Sequence, residues 1–232
     1  KFVGTGQYDE TTLTVHGYLP QVTKPAVASD DETHTWTIEK SVNPLYQSGY
    51  PGDVLPWTWK VDVSETFEES NFAVSGTISV YNPHPTLQLV VDVADQLNDD
   101  PVTTAAVDCD DETEGNQTSL TVAALGTGVC SYTAAPTGRT ATLNTATATR
   151  NSVSFVGIAN VTFMKNVIHG TALVTDTQIG LNQTLTAGAG PWQFTAPDSH
   201  TCSMDSSNYG ADGYYEGQET NTAYLTPSGG TQ

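Results

Sequence analysis

The sequence predicts an all-β protein: an antiparallel β-sandwich, a second and smaller β unit, and an N-terminal strand-like extension. Three observations carry this. Apolar and polar residues alternate with period two in several runs, and clusters of turn-forming residues separate those runs. No segment keeps a 3.6-residue apolar period for three turns.

The extension comes first. Leu13, Val15 and Leu19 alternate with Thr14, His16 and Tyr18, which makes residues 1–20 a candidate strand. Residues 21–32 read as a polar linker, so 1–32 are assigned as an N-terminal extension. Residues 33–163 hold most of the predicted strands and are assigned as the sandwich. In Trp57-Thr58-Trp59-Lys60-Val61-Asp62-Val63-Ser64 every odd place is large and apolar, which puts both tryptophans on one core face. Phe72-Ala73-Val74-Ser75-Gly76-Thr77-Ile78-Ser79-Val80 repeats the pattern. Leu87, Leu89, Val91 and Val93 make a third run, and Leu120, Val122 and Ala124 a weaker fourth. Gly49-Tyr50-Pro51-Gly52-Asp53, Asn82-Pro83-His84-Pro85 and Asn98-Asp99-Asp100-Pro101 punctuate them as turns. Trp36, Trp57, Trp59, Phe72, Val74, Ile78 and Val80 are the predicted core. Residues 164–232, rich in Gly and Tyr, are assigned as the smaller C-terminal β unit.

Composition narrows the function. The 232 residues carry 26 acidic and 7 basic side chains, a formal net charge of −19. Such a surface repels phosphate backbones and anionic membranes, so neither nucleic acid nor a membrane surface is an expected partner. Charged residues are only 14% of the chain, against a usual ~25%, and Thr and Ser take the solvent-facing places instead. No apolar run approaches the ~20 residues that span a bilayer. No signal-peptide pattern opens the chain, so Lys1 reads as a mature terminus or as an arbitrary start. Asn-x-Ser/Thr sequons stand at Asn116, Asn160 and Asn182, which fits an exported glycoprotein. Three cysteines, Cys109, Cys130 and Cys202, permit one bridge and one leftover thiol.

A weak internal echo links the two parts after residue 32. Cys130-Ser131 is followed by Asn144-Thr145-Ala146, and Cys202-Ser203 by Asn221-Thr222-Ala223. The echo predicts related strand pairs near the end of two β units.

Several runs together resemble Ig-like or prealbumin-like β-sandwich repeat domains of large secreted surface proteins. The matching residues are Trp36-Thr37-Ile38-Glu39-Lys40-Ser41-Val42, then Phe72-Ala73-Val74-Ser75-Gly76-Thr77-Ile78 leading into Asn82-Pro83. They continue through Val107-Asp108-Cys109, Cys130-Ser131-Tyr132-Thr133 and Asn144-Thr145-Ala146-Thr147-Ala148, with Thr201-Cys202 and Asn221-Thr222-Ala223 near the end. The resemblance spans about residues 33–226 and implies a module of stalks, adhesins or cell-surface assemblies without catalytic residues. It also places Cys109 and Cys130 in one domain, and the echo places Cys202 in the other, which implies a Cys109–Cys130 bridge with Cys202 unpaired or intermolecular.

The residues offer little for catalysis, and the protein is not expected to be an enzyme. His16, His34, His84, His169 and His200 do not pair at metal-ligand spacing, and Asp198-Ser199-His200 reads as a loop whose side chains diverge. No cofactor is expected except calcium, for which the crowded Asp108, Asp110, Asp111, Glu112 and Glu114 are the candidate loop; a solvated loop explains the same residues. Asp205, Asp212, Glu216 and Glu219 lie among Tyr209, Tyr214 and Tyr215, a mixture that suits sugar binding or an ordinary loop. The expected function is an extracellular structural subunit of a filament, pilus-like fibre or surface layer. Its expected partners are copies of itself or other surface proteins, joined by a donated strand bearing Leu13, Val15 and Leu19. The alternative is an adhesin-type module that recognises a glycan or a surface protein.

Overall fold

The computed structural model describes residues 6, 9–110 and 115–229. The chain is all-β, with strand over 56% of its length and no α-helix among the described residues. In chain order the strands are β1 (Gln21–Thr23), β2 (Val27–Asn43), β3 (Val54–Tyr81), β4 (Leu89–Leu97), β5 (Ala106–Asp108), β6 (Ser119–Val122) and β7 (Thr127–Ala134). They continue with β8 (Leu143–Arg150), β9 (Val153–Asn160), β10 (Phe163–Ile168), β11 (Thr171–Asp176), β12 (Leu181–Thr186), β13 (Trp192–Thr201) and β14 (Tyr224–Pro227).

Two compact units are interleaved along the sequence. The first is Lys1–Ala28 with Ala73–Phe163, and the second is Ser29–Phe72 with Met164–Gln232. The expected boundary after residue 163 is also a boundary between the units. Residues 33–72, expected in the first sandwich, cluster instead with the C-terminal part.

In the first unit the C-terminal half of β3 pairs antiparallel with β1 on one side and β7 on the other, and β5 lies outside β7. A four-stranded sheet in the order β6-β4-β8-β9 faces them. The core between the layers is aliphatic: Val74, Ile78 and Val80 of β3 meet Leu89, Val91, Val93 and Leu97 of β4, with Leu120, Val122 and Tyr132. The strict alternation of β4, inward at each odd place, is what the run Leu89 to Val93 predicts. Leu87 is exposed and precedes the strand, because its carbonyl accepts a hydrogen bond from Asn82 Nδ2 (2.8 Å) inside the turn.

In the second unit β10 neighbours β2 and β2 neighbours β3, on whose N-terminal half β13 also pairs, with Trp192 opposite Val63 and Thr201 opposite Val54. The facing sheet is β12-β11-β14. Trp36, Val61, Val63, Ala172, Val174 and Leu185 are buried there, with Ile38, Trp192, Phe194 and Leu225 packed around them. Trp36 stacks on Trp192 at 5.3 Å between ring centroids, and its indole N–H donates to the His169 carbonyl (2.7 Å). Of the two tryptophans predicted inward on β3, Trp59 is buried, while Trp57 is half-buried and meets it edge-on at 6.3 Å. Phe72 is half-buried as well.

The linker expected at 21–32 is a correction. Gln21–Thr23 and the start of Val27–Asn43 are strands, with Ala28, Asp30, Glu32, His34 and Trp36 inward at every second place. Most of those inward residues are polar, so the alternation does not show in hydropathy. A second correction concerns Asp198-Ser199-His200, which lies inside strand β13 rather than in a loop.

Candidate functional site

Cys109 and Cys130 form a disulfide, and Cys202 is a buried free cysteine. The register explains the pair. Asp108 stands opposite Ser131 across β5 and β7, so the next antiparallel pair is Cys109 with Cys130. The bridge therefore closes the end of one ladder. Asn116, Asn160 and Asn182 are all exposed, Asn160 at the end of β9 and Asn182 within β12.

The acidic loop is described only in part, because Asp111, Glu112 and Glu114 lie outside the described residues. Asp108 Oδ1 accepts hydrogen bonds from the backbone N–H of Asp110 and of Gln117, both 3.3 Å, which shapes the loop neck. Among the described residues no group of three or more His, Cys, Asp or Glu side chains is placed to hold a metal ion. The second acidic group shapes turns. Asp205 caps a short 3-10 turn, its Oδ1 accepting from Ser207 N (2.9 Å), and Asp212 Oδ1 accepts from Tyr214 N (3.2 Å). Tyr214 donates its hydroxyl proton to Glu216 (3.1 Å), which holds that phenol above its ordinary range. Glu219 lies 3.7 Å from His200, whose ring stacks on Tyr215.

Residues 9–20 form no strand and are exposed almost throughout. Leu13, Val15 and Leu19 are 85%, 79% and 72% exposed. Leu19 and Pro20 line one side of a surface groove, and Ser154, Phe155 and Val156 of β9 line the other. β9 is an edge strand of its sheet, carries no charged residue, and exposes Val153, Val156 and Ile158. Long uncharged apolar edges are the kind that accept an added strand.

Buried charge is the feature that reading by hydropathy misses. In the first unit Lys24 follows β1 and points into the core, where its Nζ donates to Asp95 Oδ2; neither side chain has any exposure. Lys24 Nζ also sits 3.9 Å from the centroid of the Tyr132 ring. The Tyr132 hydroxyl donates to the Pro25 carbonyl (2.7 Å), and burial, reinforced by Asp95, pushes it up to about 12. Gly76, directly opposite Tyr132, makes this possible: a Cβ there would lie 2.7 Å from the Pro25 oxygen and 2.9 Å from the phenol oxygen. Asn144, fully buried on β8, lies against the Asp95 carboxylate and the Tyr132 hydroxyl, yet neither its Nδ2 nor its Oδ1 makes a hydrogen bond of good geometry. Asp95 Oδ1 is likewise without a partner. Burial holds the Lys24 amine below, and the Asp95 carboxyl above, their ordinary values, against the pull of their own ion pair. Desolvation thus favours the neutral amine beside the neutral acid.

The second unit has its own set. Lys40 Nζ donates to Asp176 Oδ2, with Asp176 fully buried, and the amine lies 5.2 Å from the Trp59 ring centroid. The Asn221 amide nitrogen is buried without a hydrogen-bond partner. In the same unit, His34 is held between Glu65 Oε2 (2.8 Å) and Glu32 Oε1 (3.2 Å), Lys165 pairs with Glu32, and Gly188 N donates to Glu65 (2.8 Å). Lys165 first, then His34, hold Glu32 below the usual carboxylate range; His34 first, then Gly188, do the same for Glu65.

Comparison of the chain with protein-family models, with curated proteins and with solved structures found no match in any of the three.

Proposed function

We propose that the chain is an extracellular structural subunit that assembles with copies of itself, residues 9–20 of one copy adding as a strand to β9 of the next. The observation that carries this reading is a segment, residues 9–20, that exposes Leu13, Val15 and Leu19 and belongs to no sheet of its own chain. An edge strand with unpaired N–H and C=O groups gains hydrogen bonds from such a segment, and the alternate leucine and valine side chains gain burial. The uncharged, apolar β9 edge is the matching acceptor. Because the donor and acceptor surfaces differ, repetition of the contact gives an open fibre rather than a closed dimer. The short C-terminal part is not the acceptor, since β2 and β3 already complete it within the same chain. The bridge, the exposed sequons and the Thr-rich acidic composition support an extracellular setting.

Deleting residues 1–20 should leave a folded monomer that no longer elongates in light scattering or electron microscopy. Fibres formed by the deleted protein, or an intact protein that stays monomeric at every salt and calcium concentration, would remove this reading. The adhesin reading then takes its place. It is supported by Tyr50 and Tyr214, which are exposed beside carboxylates, and a glycan array tests it.

A further inference from the structure

We propose that the first unit cross-links itself through an amide bond between Lys24 Nζ and Asn144 Cγ, formed with release of ammonia, and that the second unit repeats the reaction between Lys40 and Asn221. The inference does not depend on how the protein assembles.

The placement of the groups carries it. Lys24 belongs to the layer that contains β1 and β3, whereas Asp95 and Asn144 belong to the facing sheet, on β4 and β8. Leu97 is opposite Asn144 and Asp95 is opposite Ala146, so acid and amide are diagonal neighbours on the inward face. The second unit has the same register. Thr175 of β11 is opposite Tyr224 of β14, so one step further Asp176 meets Ala223, two residues after Asn221. In both units the asparagine therefore precedes by two the residue facing the aspartate. In both, a lysine contacts that aspartate and an aromatic ring lies against the amine. The sequence echo between Asn144-Thr145-Ala146 and Asn221-Thr222-Ala223 marks this shared geometry.

A buried carboxamide with unmade hydrogen bonds is destabilising, and a buried lysine is kept only at further cost. A reaction accounts for all three groups together. The neutral amine is a nucleophile when desolvated. Its lone pair attacks Asn144 Cγ, the carbonyl π pair moves onto Oδ1, and the Asp95 acid proton stabilises that oxygen. Asp95 then passes a proton from Nζ to Nδ2, the Cγ–Nδ2 bond breaks, and ammonia leaves as the carbonyl re-forms. Amine plus amide gives substituted amide plus ammonia, with no redox change and no cofactor. Holding the reactants side by side in a dry core supplies the effective concentration that amide aminolysis lacks in water. The product ties one sheet to the other across the core.

The test is the intact mass of the whole chain, made in a host without N-glycosylation and denatured before measurement. After allowance for the disulfide, it should fall short of the sequence mass by two ammonias, and digestion should yield peptides joined Lys24 to Asn144 and Lys40 to Asn221. Asp95→Asn should remain folded by circular dichroism and lose the first linkage alone; Asn144→Ala should do the same. A shortfall of one ammonia with only Lys24–Asn144 joined supports the first site and overturns the second. A folded wild-type protein of full sequence mass overturns the proposal and leaves buried ion pairs in its place. Loss of water instead of ammonia, with Lys24 joined to Asp95, overturns the assignment of the asparagine.

Discussion

The two units arrange the same kinds of residues at different depths. In the first, Lys24 and Asp95 have no exposure, and the core of that unit is mainly aliphatic, with many of its side chains from β3 and β4. In the second, Lys40 keeps 14% of its side-chain surface, and the core is six buried side chains ringed by half-buried residues, among them Trp192 and Phe194. The first unit adds a disulfide, whereas the second adds a charged network around His34. In both units strand register, not local hydrophobicity, sets where a lysine meets an inward aspartate. An aromatic ring lies against the amine in both, but the wider core is mainly aliphatic in the first unit and aromatic and partly exposed in the second.

The contrast between the units is greatest at Trp59. Removing its ring should cost the second unit ~3–5 kcal/mol and leave the first unit's melting transition in place. Tryptophan fluorescence isolates this response, because Trp36, Trp57, Trp59 and Trp192 all belong to the second unit. If Trp59→Ala moves no transition, the aromatic core contributes little and the two units do not differ in this way. Opening the bridge is the reciprocal experiment. Replacing Cys109 and Cys130, 21 residues apart, by serine should cost the first unit ~3 kcal/mol in the chain-entropy model. Calorimetry should show that loss with the tryptophan signal unmoved. A smaller change in the same unit, Ile78→Val, should cost ~0.5–1.5 kcal/mol, since Ile78 is fully buried.

Acid should weaken the second unit. Glu32 and Glu65 have folded values below the ordinary glutamate value, so the unfolded chain binds their protons more readily. Their contribution is present above the ordinary value and is lost as pH falls through the depressed folded value. The tryptophan-reported midpoint in urea should therefore fall on acidification, and Glu65→Gln should flatten that slope. An unchanged slope in the variant would show that the His34 network does not govern it.

Much of the sheet structure is legible in the sequence. The run from Trp57 to Ser64 shows its core face, the run from Phe72 to Val80 shows another, and the turns at Gly49–Asp53 and Asn82–Pro85 stand where strands end and begin. Residues 21–32 escape because Lys24, Asp30 and Glu32 occupy inward places, so a strand looks like a linker. The interleaving escapes because periodicity describes a strand, not the partner it finds across a hundred residues. The buried groups leave a signal that hydropathy averages away: Asp95 shares its phase with Val91, Val93 and Leu97, Asp176 with Ala172 and Val174, and Lys40 with Trp36 and Ile38. A charge in the inward phase of a β-run is where such a set can be sought.

The interleaving also sets the order in which the molecule can be made. A ribosome delivers β2 and the start of β3 before any of Ala73–Phe163, yet their partners β10 to β14 come only afterwards. When residue 163 has emerged, one unit has every segment it needs and the other has less than half. The β2–β3 hairpin must wait in solution with its future core uncovered. Exposed Glu39, Glu68 and Glu69 along that hairpin give it charge during the wait. No single cut of the chain yields either unit by itself: a gene for one alone must splice two distant stretches.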